Sequence, residues 1–382
     1  MKKKIFYWSP CLNPVGTIKS TLNSALSLKK YNNTNDIFMI DVCGEWTKYQ
    51  KVLADNSISL INLNFQYFKF LPKRGFFLSR LSYTIIFVLS FIPLVNLLRN
   101  HKPDTLFLHL ITSLPLIILK FFNFKTDFIL RISGYPNLNI FRKILWKSIS
   151  NKIKLVTCPT SDLKKNLEKF KIFDCKKLFF LPDAIIRIDE LRKKKDNFID
   201  QKIPKDKRII LTAGRLTKQK NHAFLIHEFI EFSKINNKYI LVILGDGEKK
   251  VELSQLIKKK GAEDRVFLLG HKSNIYDYMR VSDVFVLSSL WEEVGFVIVE
   301  AALCNSFIIS SNCPNGPREF LDNGKKGILF ESNKKEALLD SFNKFVDMDK
   351  KRIFQNKVNL KKGVKKYTIF RHSLELEKIL KL

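Results

Sequence analysis

Ser288-Ser-Leu-Trp-Glu-Glu-Val-Gly-Phe-Val-Ile-Val-Glu300 follows the apolar run Val284–Val286 and passes through a polar loop carrying Glu292. An apolar segment then starts at Gly295, with Glu300 embedded in it. That order, an apolar run, a polar loop and an apolar helical segment, is one strand–loop–helix unit of an α/β protein. Glu300 is the only formal charge between Glu293 and Arg318. A lone carboxylate in an apolar helix is costly unless something polar meets it.

The same unit repeats on either side. Ile209–Ala213, Tyr239–Leu244, Arg265–Leu269, Val284–Ser288 and Phe307–Ser311 read as strands with helical patterns between them. Upstream, the pattern breaks into charge from Ile185 to Lys207, the best linker candidate. Before that break lies another series: Ile5–Trp8, Asp36–Val42, Ile58–Leu63, Thr105–Leu108, Asp127–Ile132, Lys154–Cys158 and Leu178–Leu181. Brief apolar strands separated by helix-length segments predict parallel sheets covered on both faces. The expectation is two doubly wound α/β domains in tandem facing a central cleft, a favoured place for a ligand. The domains are expected at residues 1–186 and 208–363, joined by a linker at 187–207, with a last helix at 364–382.

Length allows two or three domains, and 46% hydrophobic residues with 33 Phe exclude a disordered chain. The net charge of +31 points to anionic partners, although compositional bias alone can produce it, and runs such as Lys193–Lys195 and Lys258–Lys260 suit solvated faces. No basic-aromatic recognition module for nucleic acid is present. Cys11, Cys43, Cys158, Cys175, Cys304 and Cys313 form no C-x-x-C pair, and they read as reduced thiols of a cytoplasmic protein. The start, Met1-Lys-Lys-Lys-Ile-Phe-Tyr-Trp, reads as a first strand rather than a signal peptide.

Leu81–Leu98 carries no charge over 18 residues. Pro93, Ser82, Ser90 and Asn96 interrupt or dilute it, and Arg80 and Arg99 close it in. A partly buried helix is favoured over a membrane span. The basic lead-in Leu71-Pro-Lys-Arg-Gly75, with Phe76 and Phe77, is suited to touch an anionic membrane surface.

The second series opens with Ile210-Leu-Thr-Ala-Gly-Arg-Leu-Thr-Lys-Gln-Lys-Asn-His222. A strand ends at Ala213, Gly214 permits a tight exit, and a helix is expected to start near Asn221, capped by its side chain. Arg215 and Lys220 therefore flank a strand-to-helix crossover, where a helix N-terminus already favours anions. Solvated cations of an ordinary loop are the plainer explanation. Leu244-Gly-Asp-Gly-Glu248 and Leu269-Gly-His-Lys-Ser273 end the next two strands. Glu292 and Glu300 suit either an acid/base pair, as in glycoside hydrolysis, or acceptors of ribose and sugar hydroxyls. A solvated loop residue and a satisfied buried carboxylate are the bland alternatives.

Gly214-Arg-Leu-x-x-x-Lys-Asn, the Gly-Asp-Gly turn and Ser289-Leu-Trp-Glu-x-x-Gly-x-x-x-x-Glu300-Ala occur in one order at domain-scale spacing. Together they resemble the retaining, GT-B-fold glycosyltransferases of family 4, whose fold is two Rossmann-like domains. Val156–Ser161, Leu181–Ala184, and Asn312–Leu321 followed by Asn323–Leu329 resemble segments of members that build bacterial surface polysaccharides. The resemblance implies transfer of a hexosyl or N-acetylhexosaminyl group from a nucleotide sugar, UDP-linked by preference, to a lipid-linked or saccharide acceptor, with retention of configuration and no metal. It implies an enzyme of lipopolysaccharide, O-antigen or capsule synthesis, cytoplasmic or peripheral on the inner face of the plasma membrane. It implies that Arg215 and Lys220 hold the donor diphosphate, Glu300 the ribose hydroxyls and Glu292 the sugar hydroxyls. Gly270 and His271 would line the base, and Gly16 would let the first loop approach the donor. Gly214, Gly245 and Gly295 belong to the same donor-binding set.

Two departures stand out. The family commonly carries Glu-Gly-Phe-Gly where this chain has Glu292-Glu-Val-Gly295, so the donor sugar is open. Many members carry a histidine after a first-domain strand, where this chain has Arg131-Ile-Ser-Gly134; His109 is the remaining catalytic candidate. Asp347-Met-Asp349 mimics a metal-binding D-x-D but lies in a charged helical stretch, and it reads as incidental. A nucleotide-sugar epimerase on the same double fold, or a basic nucleic-acid-binding protein, are the alternatives.

Overall fold

The computed structural model describes residues 2–12, 16–32, 34–63, 68, 70–72, 76–189 and 200–381, with the backbone alone for residues 76, 77 and 79. Most of the basic lead-in at 71–75, the side chains of Phe76 and Phe77, and the Lys193–Lys195 run lie outside the described residues. The chain forms two compact units, Met1–Ile185 with Tyr367–Leu382, and Ile186–Lys366.

In the first unit the strands are β1 (Lys4–Trp8), β2 (Asp36–Asp41), β3 (Ser59–Asn62), β4 (Thr105–Leu108), β5 (Asp127–Arg131), β6 (Ile153–Cys158) and β7 (Leu178–Phe180). They form one parallel sheet in the order β3-β2-β1-β4-β5-β6-β7. Strand alternation sends Phe6, Trp8, Leu106, Leu108, Phe128 and Leu130 to one core and Ile5, Tyr7, Phe107 and Ile129 to the other. Both faces are therefore buried, which is why these strands read as continuous apolar runs. The helices are α1 (Gly16–Tyr31), α2 (Gln50–Asp55), α3 (Phe76–Leu89), α4 (Phe91–His101), α5 (Ser113–Phe121), α6 (Ile140–Ile149) and α7 (Ser161–Lys169).

The expected single helix over Leu81–Leu98 is instead two, α3 and α4, meeting at Ser90 with a 43° bend. Pro93 accounts for the position. Its ring excludes a helical contact with the carbonyl four residues back, at Leu89, but it is tolerated in the first turn of a new helix. No single helix among the described residues is long and apolar enough to cross a membrane, although this bent pair passes by length and composition together.

The second unit holds β8 (Arg208–Ala213), β9 (Tyr239–Leu244), β10 (Val266–Gly270), β11 (Val284–Leu287), β12 (Phe307–Ser311) and β13 (Ile328–Phe330), in the order β10-β9-β8-β11-β12-β13. Its pairings are again all parallel. Its helices are α8 (His222–Ile235), α9 (Lys250–Lys259), α10 (Ile275–Val281), α11 (Phe296–Leu303), α12 (Gly316–Phe320), α13 (Ala337–Val346) and α14 (Lys350–Val364). The three-residue β13 is absent from the sequence-based reading because it is too short to show a period. The final helix, α15 (Ile369–Lys381), packs against α1 and buries Leu376 and Ile379 in the first unit's core. It is therefore part of that unit. Both sheets are doubly wound, and the strand order reverses at β1/β4 and at β8/β11. Crevices at the carboxyl ends of strands beside such a reversal are where open parallel sheets take ligands.

Candidate donor-binding site at the β8/β11 crossover

The loops after β8 and β11 are stitched together. Leu290 N–H donates to the Gln219 carbonyl at 2.8 Å, Gln219 Nε2 donates to the Trp291 carbonyl at 2.8 Å, and Ser288 Oγ donates to the Lys220 carbonyl at 2.8 Å. These bonds bring together two side chains 72 residues apart: Lys220 Nζ pairs with Glu292 Oε1. Ser289 Oγ donates to the same oxygen at 2.6 Å. Glu292 is buried, so this carboxylate is held by a charge partner and a hydroxyl rather than solvated in its loop.

The neighbouring loops are joined through their backbones. Gly214 N–H donates to the Leu244 carbonyl at 2.9 Å, Leu216 N–H to the Asp246 carbonyl at 2.9 Å, and Gly245 N–H to the Gly270 carbonyl at 2.8 Å. Gly245 has φ +137, and a Cβ there would stand 1.9 Å from the Gly214 carbonyl oxygen. Only glycine permits this approach. Arg215 and His271 are exposed on these loops.

Glu300 lies in the second turn of α11, which Gly295 begins at φ 72. Tyr276, on α10, donates its hydroxyl to Glu300 Oε1 at 3.0 Å. Burial first, and then the Glu300 charge, push the tyrosine's pKa far up, so it stays a donor. Part of what meets the embedded carboxylate is thus a residue of a different βα unit, one the sequence reading missed. Ser289 was also missed, although it lies inside the stretch that decided the fold. Cys313 is buried near Lys220 and Glu292, and burial, ahead of the Glu292 charge, raises its thiol to about 11, so it stays neutral.

The loop that departs from the family pattern is braced from below. Gly316 N–H donates to the Glu293 carbonyl at 2.9 Å, and a Cβ at Gly316 would come within 2.3 Å of Val294 Cα. Val294 is buried and Glu293 exposed. One other expectation changes. Asn221 adopts φ 54 and does not cap α8; its amide donates to Asn333 Oδ1 at 2.8 Å. Asp349 is the cap of α14, accepting from Lys351 N–H at 3.1 Å and Arg352 N–H at 3.3 Å. No group of three or more His, Cys, Asp or Glu able to hold a metal occurs among the described residues.

Gly16 and His109 belong to the first unit. Gly16 begins α1, which follows β1, and His109 follows β4 and donates its backbone N–H to the Trp8 carbonyl at 2.9 Å. Both lie at the carboxyl side of the first sheet's strand reversal. His109 is buried and its Nδ1 has no hydrogen-bond partner among the described residues. Burial first, and then the Arg131 charge, hold its pKa well below the usual imidazole range. Arg131 itself is committed: Nη2 pairs with Asp183 Oδ1 and Nη1 donates to the Leu181 carbonyl, both at 2.7 Å.

Two doubly wound parallel sheets, with a cation–carboxylate pair and glycine turns at the second sheet's crossover, define the architecture of a GT-B glycosyltransferase. Solved structures agree on the fold. A glycosyltransferase from Rickettsia africae superposes with TM-score 0.77 at 19% identity over 100% of this chain and 99% of its own. Anabaena HepE, solved with UDP and glucose, gives 0.72 at 16% identity over 99% of each chain. The profile of the family described as Glycosyl transferases group 1 matches residues 193–366. An N-acetylgalactosamine-N,N'-diacetylbacillosaminyl-diphospho-undecaprenol 4-alpha-N-acetylgalactosaminyltransferase of Campylobacter jejuni is 30% identical over 293 residues, 73% of this chain and 78% of its own length. An uncharacterized glycosyltransferase of Methanocaldococcus jannaschii is 32% identical over 249 residues, which span 60% of each protein. The chain belongs to the group 1 glycosyl transferases.

Proposed function

We propose that the chain is a retaining, family 4 enzyme that transfers a hexosyl or N-acetylhexosaminyl group from a UDP-sugar to a lipid-linked or saccharide acceptor. Its place would be the cytoplasmic side of cell-surface polysaccharide assembly. The observation that carries the reading is the Lys220–Glu292 pair at the strand reversal, beside the exposed Arg215. Among relatives, the Campylobacter protein's name specifies an acceptor on diphospho-undecaprenol, and Anabaena HepE was solved with UDP-glucose.

In this reading Arg215 and Lys220 bind the donor diphosphate. As the bond from sugar to phosphate breaks, negative charge grows on the leaving nucleotide, and two fixed cations oppose it where it grows. Glu292 accepts from sugar hydroxyls, and Ser289 fixes its rotamer. Glu300, oriented by Tyr276, accepts from the ribose. Gly214, Gly245, Gly270 and Gly295 keep the backbone low around the donor, and His271 flanks the base. In the first unit, the family resemblance assigns Gly16 to donor binding, and neutral His109 can accept a hydrogen bond from a sugar or acceptor hydroxyl. Glu293, exposed above the braced Val294, is the residue at which sugar choice would be written. The cations make a metal unnecessary, so chelation with EDTA leaves the rate unchanged; a rate restored only by added divalent metal would contradict this part.

The test is transfer from UDP-sugars to a diphospho-undecaprenol-linked saccharide. Arg215→Ala is expected to lower kcat by at least about a hundredfold, as loss of one preorganised charge-stabilising donor does. Transfer at the wild-type rate in that variant would overturn the assignment.

A further inference from the structure

The second unit holds a groove that the donor loops do not reach. Its volume is ≈ 570 Å³, within the usual range for sites that take small molecules. One wall is the turn before β13, with Asn323, Gly324 and Gly327, and the other is the end of α13 and the start of α14. All pairings in this sheet are parallel. The amino end of β13 therefore lies at the opposite end of the sheet from the loops that follow β8 and β11.

Asp347-Met-Asp349 lies in this groove, and its surroundings decide what it can do. The Asp349 carboxylate is committed to capping α14. The exposed side chains of Lys344, Asp347 and Arg352 make no hydrogen bond or ion pair among the described residues, and all three line the groove. Asn356 lines it too. It is buried, at 8% exposure, yet its amide has no hydrogen-bond partner among the described residues. A buried amide ordinarily has one, so a polar ligand has a place to bind here. The half-buried Ile328, Leu329 and Met348 supply an aliphatic floor.

The balance of these groups identifies the ligand class. The charges cancel, Lys344 and Arg352 against Asp347 and Asp349. A free phosphate would meet two carboxylates, and a metal ion would meet two cations. A neutral polyhydroxylated ligand opposes neither. Carboxylate and amide oxygens accept from its hydroxyls, while ammonium, guanidinium and amide N–H groups donate to them. The C–H face of a pyranose ring covers the aliphatic floor. We propose that this groove is a second, non-catalytic saccharide site, which holds a neutral oligosaccharide through Asp347, Arg352 and Asn356 at the end of the sheet away from the donor loops. The proposal goes beyond the donor reading and does not depend on which nucleotide sugar is used.

Saturation-transfer difference NMR of the full chain tests it, with a panel of neutral di- and trisaccharides built of glucose, galactose, mannose or N-acetylhexosamine units. At least one panel member is expected to bind. Asn356→Ala, and separately Asp347→Asn with Arg352→Gln, are expected to weaken that binding by at least about tenfold, while Arg215→Ala leaves it unchanged. Asp347 and Arg352 are exposed, so their double variant keeps the wild-type melting temperature and decides the matter if Asn356→Ala disturbs folding. Inorganic phosphate is the counter-probe. Asp347→Asn alone should weaken saccharide binding, whereas at an anion site it would tighten phosphate binding. No saccharide binding, binding that the groove variants retain in full, or phosphate held more tightly after Asp347→Asn with saccharide binding unmoved would overturn the proposal. Groove-dependent saccharide binding in a chain that no UDP-sugar stabilises would uphold it and count against the donor reading alone.

Discussion

Lys220 and Glu292 are each other's main charge partner at the second unit's crossover, with side chains 15% and 9% exposed. Removing one of them leaves the other poorly solvated. Lys220→Met or Glu292→Gln alone is expected to cost roughly 3 kcal/mol of stability, and the double variant less than the sum, with a coupling of about 2 kcal/mol in urea unfolding. Additive losses would mean that the pair does not form in solution. Tyr276→Phe removes the hydroxyl that Glu300 accepts, a bond to a charged group, and is expected to cost about 1.5–3 kcal/mol. At this scale the sequence was informative where the chemistry sat in one local stretch. Glu292, Glu300, Arg215 and Lys220 all stand out against glycine turns and apolar runs. Tyr276 did not, because its partner is 24 residues away on another helix and nothing in Asn274-Ile-Tyr-Asp marks it.

Elements followed the same logic. Strands buried on both faces announce themselves as apolar runs, and all but one could be read from the chain. What failed was punctuation set by tertiary contacts. The break before Pro93 fell at Ser90 because the clash acts four residues upstream. Asn221 gave up its capping role to reach Asn333, on a loop 112 residues on. The last helix could not be assigned to a unit from sequence, since its apolar stripe says that it packs but not on what. In the structure it closes the first unit, and it also pins the segment leading out of β7. His372 Nδ1 donates to the Pro182 carbonyl at 2.7 Å, and its Nε2 accepts from Ser24 Oγ at 2.9 Å. Asn23 Nδ2 donates to the Ala184 carbonyl at 2.7 Å. Leu376→Ala, a deletion in that buried seam, is therefore expected to cost about 2–5 kcal/mol. A change below about 0.5 kcal/mol would mean that α15 is not docked in solution.

Across the molecule, burial sets the response to pH. His372 in the first unit and His222 in the second are both lowered to about 4, chiefly by burial. The folded chain keeps them neutral, whereas the unfolded chain protonates them near 6.5. Their contribution is complete above pH 6.5 and is lost as pH falls from 6.5 toward 4, about 3 kcal/mol for each. Glu45, raised by burial and by Asp41, acts in the opposite sense, so the clean observable is a difference between proteins. His372→Asn, whose amide can still donate to Pro182, should show a stability that falls less steeply than the wild type between pH 7 and pH 5. Parallel curves would contradict the assignment of a neutral buried imidazole.

A nucleotide sugar held at the β8/β11 crossover would stabilise the folded chain. The most direct measurement is thermal stabilisation of the wild-type chain by a panel of nucleotide sugars, because a ligand that binds only the folded state raises its apparent stability. A subset of UDP-sugars is expected to raise the melting temperature in a concentration-dependent way. Arg215→Ala and Glu300→Gln are each expected to lose most of that increment without changing the unliganded value by a comparable amount. No stabilisation by any nucleotide sugar, or stabilisation equal in wild type and both variants, would contradict nucleotide-sugar binding at the crossover.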